Sequence, residues 1–203
     1  MGAPRAGASL LRPSGPGGVS GERGFSLRSG RMDGEWHPVE IYSTFLRTRG
    51  YLQVLPGQRL TDEVNRLQDY LELRNTVTEP LLASYPVVSP QETNTTIAKH
   101  AIVMVVPGSL EAPAESVVNP LLRKTKDRQH VILNTTAFAL SADVHLEPKV
   151  SLLSTLQHSD EFLPITRVSA ILVTSLGANP HTVQQSFALV NPTSIVSFSI
   201  REE

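Results

Sequence analysis

The chain repeats its own pattern of apolar residues and turns when it is aligned with itself at an offset of 92 residues. The stretch VEIYSTFLRTRGYLQVLPG, from Val39, then lies over VILNTTAFALSADVHLEPK, from Val131. With one further residue of offset, HAIVMVV falls on TSIVSFS. Three pairs of turn-forming or core-facing positions also match: Pro56 with Pro148, Leu60 with Leu152, and Val64 with Leu156. Because similar elements recur in the same order, we expect one small unit to occur twice.

Each copy is interpreted as five short strands and one short helix. Leu60, Val64 and Leu67 have the i, i+4, i+7 spacing of a helix face. In the first copy the predicted strands are Val39–Arg47, Tyr51–Leu55, Tyr70–Val77 and Leu81–Val88. Their counterparts in the second copy are Val131–Leu140, Asp143–Glu147, Phe162–Ala170 and Ile171–Leu176. The closing strands lie within Ile97–Pro107 and Leu189–Ile200. A variable loop precedes each closing strand. The sequence therefore predicts a mainly β fold of two tandem five-stranded barrel or roll units, related by internal duplication.

The first 34 residues are rich in Gly, Ser, Pro and Arg, and they bury too little apolar surface to offset the entropy of ordering. We therefore expect residues 1–34 to form a disordered leader. Two other interpretations stay open, namely an Arg-rich transit peptide and an upstream translation with Met32 as the true start. The rest is expected to divide into a first β unit (35–107), a Pro-rich polar linker (108–129) and a second β unit (130–203).

Several classes of function lack a supporting pattern. The chain has no cysteine, which excludes disulfides and thiolate chemistry and fits a cytoplasmic location. No apolar run reaches the roughly 18 residues of a membrane span. Asp143, His145 and Glu147 are metal-ligand types, but alternate strand residues lie too far apart to chelate one ion, so we expect a solvated face. No GxSxG, HExxH or Gly-Lys pattern is present, and no catalytic, cofactor or metal site is predicted.

Alternate residues along a strand share a face, and the two copies differ in the character of one face. In the second copy that face is polar: Asp143, His145, Glu147, Ser197 and Ser199. The matching positions of the first copy are apolar: Tyr51, Leu55, Met104 and Val106. An apolar outer face needs a cover. Either the second copy or the linker packs on it, or it is a protein interface for another copy of this chain or for a different protein.

The segment AKHAIVMVVP resembles the closing motif of the Hfq-type Sm-like proteins, and VEIYSTFLRTRGYLQVL resembles their first pair of strands. The whole chain also resembles uncharacterised bacterial proteins built from two small β units, which brings no assigned activity. The Sm-like resemblance implies small barrels of the Sm/SH3 type that bind single-stranded RNA, with Lys99 and His100 facing the RNA. A basic cluster near the end of the predicted linker could add phosphate contacts: Arg123, Lys124, Lys126 and Arg128.

The favoured hypothesis is a non-catalytic protein-interaction or assembly module that works through the apolar outer face of the first unit. Its partner would be a second copy of the chain or another protein, and no membrane partner is expected. The first alternative is an Sm-like RNA-binding protein that uses Lys99, His100 and the basic cluster. The second alternative is an enzyme of unrecognised type.

Overall fold

Ten antiparallel strands and two short helices form the computed structural model, which describes residues 34–66, 69–82, 91–108, 126–158, 161–173 and 182–201. The first half (34–108) contains β1 (Glu35–Ser43), β2 (Leu46–Val54), α1 (Leu60–Arg66), β3 (Tyr70–Pro80), β4 (Gln91–Ala98) and β5 (Ile102–Pro107). The second half (126–201) contains β6 (Asp127–Thr135), β7 (Phe138–Leu146), α2 (Leu152–His158), β8 (Leu163–Leu172), β9 (Thr182–Val190) and β10 (Ile195–Arg201). A 3₁₀ turn precedes the last strand of each half: Lys99–Ala101 and Pro192–Ser194.

All ten strands belong to one sheet, in the order β10-β6-β7-β8-β9-β5-β1-β2-β3-β4. In each half the last strand pairs with the first, so β5 lies beside β1 and β10 beside β6. The halves join where β5 pairs with β9, with Met104 opposite Val190 and Val105 opposite Leu189. The predicted mainly β class is confirmed. The sheet is not closed into barrels, because β5 pairs with β9 of the other half and not with β4 of its own.

The offset of 92 residues also applies to the described backbone. β1 and β6, β2 and β7, and α1 and α2 each begin 92 positions apart. Among the described residues, four have positive φ, and they form two pairs at that same offset: Gly57 (77°) with Lys149 (69°), and Asn75 (49°) with Arg167 (52°). L-residues other than glycine rarely adopt this left-handed conformation. The two halves therefore share unusual local backbone states as well as the order of their elements.

The first hairpin of each half turns earlier than the sequence pattern predicted. The predicted strand Val39–Arg47 spans the end of β1, a two-residue turn and the start of β2. In the turn, the Ser43 hydroxyl accepts from the Leu46 N–H at 3.1 Å. Its counterpart, the Thr135 hydroxyl, accepts from the Phe138 N–H at 2.9 Å. The turn has no Gly, Pro or Asn to mark it, because a hydroxyl side chain closes it.

The fourth strand of each half lies where a variable loop was expected. β4 and β9 occupy Gln91–Ala98 and Thr182–Val190, whereas Ile171 and Leu172, which were assigned to a fourth strand, end β8. Residues 83–88 of the other predicted strand lie outside the described residues. The sequence of β4, QETNTTIA, is mostly exposed and polar, so it lacks the apolar alternation by which strands are recognised.

The first unit was predicted to span 35–107, and β1 and β5 begin and end at those positions. β6 begins at Asp127, three residues before the predicted start of the second unit. The leader lies outside the described residues except for Gly34, as does most of the linker. Within the described part of the chain, no helix combines the length and the apolarity that crossing a membrane requires.

Each half completes the apolar core of the other. Tyr42, Met104 and Val106 of the first half belong to a buried cluster otherwise built mainly from the second half. Conversely, Phe162 and Leu189 of the second half pack in the cluster of the first half. Burying these side chains stabilises the junction by roughly 1.5–3 kcal/mol each. Residues Met32–Glu203 consequently form one compact unit.

Candidate interaction surface

The four residues predicted as an interface lie on one face of the first half. Pro38 pairs with Tyr51 and Glu40 with Arg49 across β1 and β2, while Glu40 also pairs with Val106 on β5. Because residues paired across strands point to the same side of a sheet, Tyr51 and Val106 share a face. The period of two then places Leu55 and Met104 on that face as well.

The second half covers one end of this face. Met104 and Val106 are completely buried. Tyr42, beside them on β1, packs edge-on against Phe138 of β7, with ring centroids 5.5 Å apart and an interplanar angle of 88°. Met104 and Val106 therefore contact the rest of the chain, as in the alternative in which the second copy packs on the face. Tyr51 stays exposed and Leu55 is half-buried.

An ion-pair network lies between the covered and the open end of the face. Nε and Nη2 of Arg47 donate to the two carboxylate oxygens of Glu40, at 3.1 and 2.6 Å, and the Tyr42 hydroxyl donates to the same carboxylate at 2.8 Å. Burial opposes ionisation of Glu40, but the hydrogen bonds from Arg47 and Tyr42 outweigh it and lower its pKa. Burial and the bond to Glu40 raise the pKa of Tyr42. The network links β1 to β2 beside the junction and separates the covered end of the face from its open end.

The open end carries an exposed group of two aromatic residues and one arginine, which we name the aromatic patch: Trp36, Tyr51 and Arg74. Trp36 is 37% exposed and Tyr51 is 43% exposed. The Arg74 guanidinium carbon lies 4.3 Å from the centre of the Trp36 ring, a cation–π contact. Tyr51 pairs with Arg74 across β2 and β3, so the three side chains are neighbours. Tyr51 was predicted from the sequence, whereas Trp36 and Arg74 were not, because the prediction rests on the second and last strands alone.

The same place in the second half holds a charged cluster. At the offset of 92, Trp36 corresponds to Arg128 and Tyr51 to Asp143. The Asp143 side chain is 1% exposed, contacts Arg167 and lies 3.0 Å from His130 Nδ1 and 3.8 Å from Arg128. Asp143 was expected on a solvated face, but these three side chains cover it. One half thus neutralises its own polar groups at this position, whereas the other exposes aromatic rings.

The charged cluster is expected to stabilise the chain above about pH 4 and not below about pH 2. The hydrogen bond from Arg167 lowers the pKa of Asp143 from 3.8 to about 2 against the effect of burial, with His130 contributing in the same direction. Because the unfolded chain takes up this proton at a higher pH, stability is lost as the pH falls through that window. The loss is about 1–2 kcal/mol, since both arginines are more than half exposed and solvent screens them.

Urea unfolding of the wild-type chain and of the Asp143→Asn variant measures this contribution. The variant should be less stable at about pH 5, and the difference between the two chains should shrink toward about pH 2. The reason is that protonated Asp143 and the amide of the variant are both uncharged. A difference in stability that stays constant across this range would contradict the assignment.

The structure describes four of the six residues that were predicted to contact RNA. Lys99 is half-buried, with Nζ 5.7 Å from the Phe162 ring centre, and this burial lowers its pKa although Asp69 and Glu161 oppose the shift. His100 is exposed on the 3₁₀ turn, and Arg128 belongs to the charged cluster. Lys126 is exposed just before β6. Arg123 and Lys124 lie outside the described residues.

Two asparagine side chains, neither of which was predicted from the sequence, make four hydrogen bonds between the halves. The Asn191 amide donates to the Ile102 carbonyl at 2.9 Å and to the Lys99 carbonyl at 3.0 Å. On α1, Asn65 accepts from the Phe162 N–H at 2.8 Å and donates to the Phe162 carbonyl at 3.4 Å. An asparagine side chain can satisfy backbone donors and acceptors in this way where no strand neighbour is present.

A cavity of about 300 Å³ lies in the second half beside α2, with mostly apolar walls that include Leu146, Leu156 and Phe162. The hydroxyl of Thr155 in its lining donates to the Ser151 carbonyl at 3.2 Å. His145 also lines the cavity, and its Nε2 atom lies 2.9 Å from the Thr166 hydroxyl oxygen.

Among the described residues, no three His, Asp or Glu side chains are grouped to hold a metal ion. The aromatic patch, where an arginine and two exposed aromatic side chains lie together, is the candidate site. Comparison of the sequence with protein-family models and with curated proteins, and of the structure with solved structures, gives no match.

Proposed function

We propose that the protein is a non-catalytic interaction module and that the aromatic patch binds another protein. The observation that carries this proposal is the exposure of Trp36 and Tyr51 side by side, with Arg74 stacked on Trp36. Tryptophan, tyrosine and arginine are the residue types most enriched at binding hot spots. They supply large contact areas with little loss of side-chain entropy, so they favour a protein partner with apolar side chains and a carboxylate for Arg74.

The comparison between the halves supports the proposal. A sheet surface that binds nothing needs no exposed aromatic side chains, and the second half has Arg128 and Asp143 at the positions of Trp36 and Tyr51. The predicted interface is thereby revised. Tyr51 and the half-buried Leu55 remain on it, Trp36 and Arg74 join it, and the buried Met104 and Val106 serve the internal junction.

We further propose that the two halves are copies of one small β unit and that the protein works in the cytoplasm. The shared offset of the helices, strands and left-handed residues supports duplication. The lack of cysteine supports a reducing compartment. In each half the five strands follow the order last-first-second-third-fourth, an order compatible with the small-barrel resemblance of the sequence.

A photo-crosslinking residue placed at Tyr51 in the producing cells tests the proposal. We expect a protein adduct at position 51 and no equivalent adduct at Ile171, which is equally exposed, at 43%, on the second half. The adduct at position 51 should disappear when Trp36→Ser is added, because that change removes the neighbouring ring and leaves the fold intact. No adduct at position 51, or the same adducts at both positions, would contradict the proposal.

The same patch favours nucleic acid as a second candidate partner. Bases stack on aromatic rings, and an arginine held over a ring adds a cation–π contact. Trp36 is the single tryptophan of the chain, so its fluorescence reports directly on the patch. Titration with a uridine oligonucleotide should quench Trp36, with an affinity that weakens steeply with salt, if nucleic acid is the ligand. An unchanged emission spectrum would remove this candidate.

A further inference from the structure

β4 and β10 are the outer edges of the sheet, and neither has a second strand neighbour among the described residues. An edge strand presents a row of backbone N–H and C=O groups that can pair with another strand. Proteins that avoid such pairing place lysine, proline or inward-pointing charge on the edge. Glu92 is the single charged residue of β4, and Arg201 that of β10. Both edges are thus open to strand addition.

The pairing of β5 with β9 shows how such edges meet in this fold. β5 and β10 occupy the same place in their halves, since each follows a 3₁₀ turn and pairs with the first strand of its half. β9 and β4 also occupy the same place in their halves, because each pairs with the third strand of its half. Within the chain, β5 of the first half pairs with β9 of the second half. Their counterparts β10 and β4 are the two outer edges of the sheet.

The outer edges keep apolar residues at positions that the internal junction buries. Val103 and Val196 are the second residues of β5 and β10. Val103 is 2% exposed because the second half covers it, whereas Val196 is 72% exposed. On the other edge, Ile97 of β4 is half-buried, while Val190, its counterpart on β9, is completely buried.

We propose that β10 of one chain pairs antiparallel with β4 of the next, so that chains assemble head to tail through a copy of the internal junction. Within the chain, Met104 meets Val190 and Val105 meets Leu189. The corresponding contacts between chains are Ser197 with Ile97 and Phe198 with Thr96, because β4 and β9 match at an offset of 93 residues. A contact of this kind joins unlike surfaces, so it builds a ring if the rotation from chain to chain closes, and a filament if it does not.

The outer junction lacks the asparagine that fastens the internal one. Asn191 stands before the second 3₁₀ turn with φ −73° and ψ 117°, and Ala98 stands before the first with φ −69° and ψ 127°. The backbone at position 98 is therefore ready for an asparagine, but alanine donates no side-chain hydrogen bond. Ala98→Asn should tighten the association between chains about tenfold, by adding two hydrogen bonds.

The test compares the solution mass of the full chain with that of edge variants, by light scattering after size exclusion. Val196→Lys blocks β10 and Thr96→Lys blocks β4, because a charge on an edge strand opposes pairing. Leu153→Lys is the matched control, since Leu153 is an exposed apolar residue on α2, away from both edges. We expect the full chain and the control to form a multiple of 22.1 kDa, and each edge variant to have the mass of one chain.

Mixing the two edge variants gives the decisive result. Val196→Lys keeps a working β4 and Thr96→Lys keeps a working β10, so the mixture should form a one-to-one pair, which also shows that both variants are folded. A symmetric contact between identical edges predicts no such pair and would overturn the proposal. Masses of a single chain for both the wild-type protein and Ala98→Asn would overturn it too, as would assembly that survives both edge changes.

Discussion

Replacing Met104 with aspartate is expected to prevent the chain from folding. Met104 is completely buried where β5 meets β9, so the change removes apolar contacts and places a carboxylate inside an apolar cluster. The combined cost exceeds about 5 kcal/mol, which is comparable with the whole stability of a typical domain. Circular dichroism should show loss of the β spectrum, and urea unfolding should show no cooperative transition.

Tyr51→Asp is the matched control, because Tyr51 shares a face of the sheet with Met104. The Tyr51 side chain is 43% exposed and lies on the open side of the Glu40 network. Its replacement should cost about 1 kcal/mol and leave the unfolding transition cooperative. Equal damage from both variants would show that the second half does not cover the face as described. Only the Tyr51 variant should affect partner binding without affecting the fold.

The second large effect is expected from Asn191→Ala. The change leaves the carbonyls of Ile102 and Lys99 without the amide donor that bridges the halves. The Lys99 carbonyl keeps the Ile102 N–H as a donor, so the main cost falls on the buried Ile102 carbonyl, and the loss of stability should be about 1–3 kcal/mol. The midpoint of urea unfolding should fall while the transition stays cooperative, because both halves lose their common fastening together.

Asn134→Ala separates this effect from a general sensitivity to losing asparagine. The Asn134 amide donates to the Ser197 hydroxyl at 3.0 Å on an exposed surface. Water replaces that bond, so the variant should lie within about 0.5 kcal/mol of the wild-type chain. If the two asparagine variants were equally stable, the bridge at Asn191 would not hold the halves together.

The parts of the fold that depend on the spacing of apolar residues could be predicted from the sequence. The offset of 92, the helix beginning at Leu60 and its counterpart at Leu152 all follow from that spacing. The hairpin turns could not be located, because the hydroxyls of Ser43 and Thr135 close them and such residues are common everywhere. β4 was missed because its partners are backbone groups of β3, which leave no apolar pattern in its sequence.

The candidate surface was predictable only at one end. Comparing matched strands placed Tyr51 and Met104 on one face, but which end the second half covers depends on the pairing of β5 with β9. Nor could the sequence show that Arg167 reaches Asp143. That contact needs a left-handed backbone at residue 167, which an arginine gives no reason to expect. Long-range pairing therefore decided both the covered end of the face and the charged cluster.

The pairing of β5 with β9 also sets an order on synthesis. Val105 cannot form its strand pair until Leu189, which is 84 residues later in the chain, has been synthesised. A ribosome adding about 5–20 residues per second needs roughly 4–17 s to supply that residue. During this interval Met104 and Val106 have left the ribosome without the side chains that bury them. The nascent first half is thus a target for chaperones that hold apolar segments, and a transcript truncated before β9 would yield an aggregating fragment.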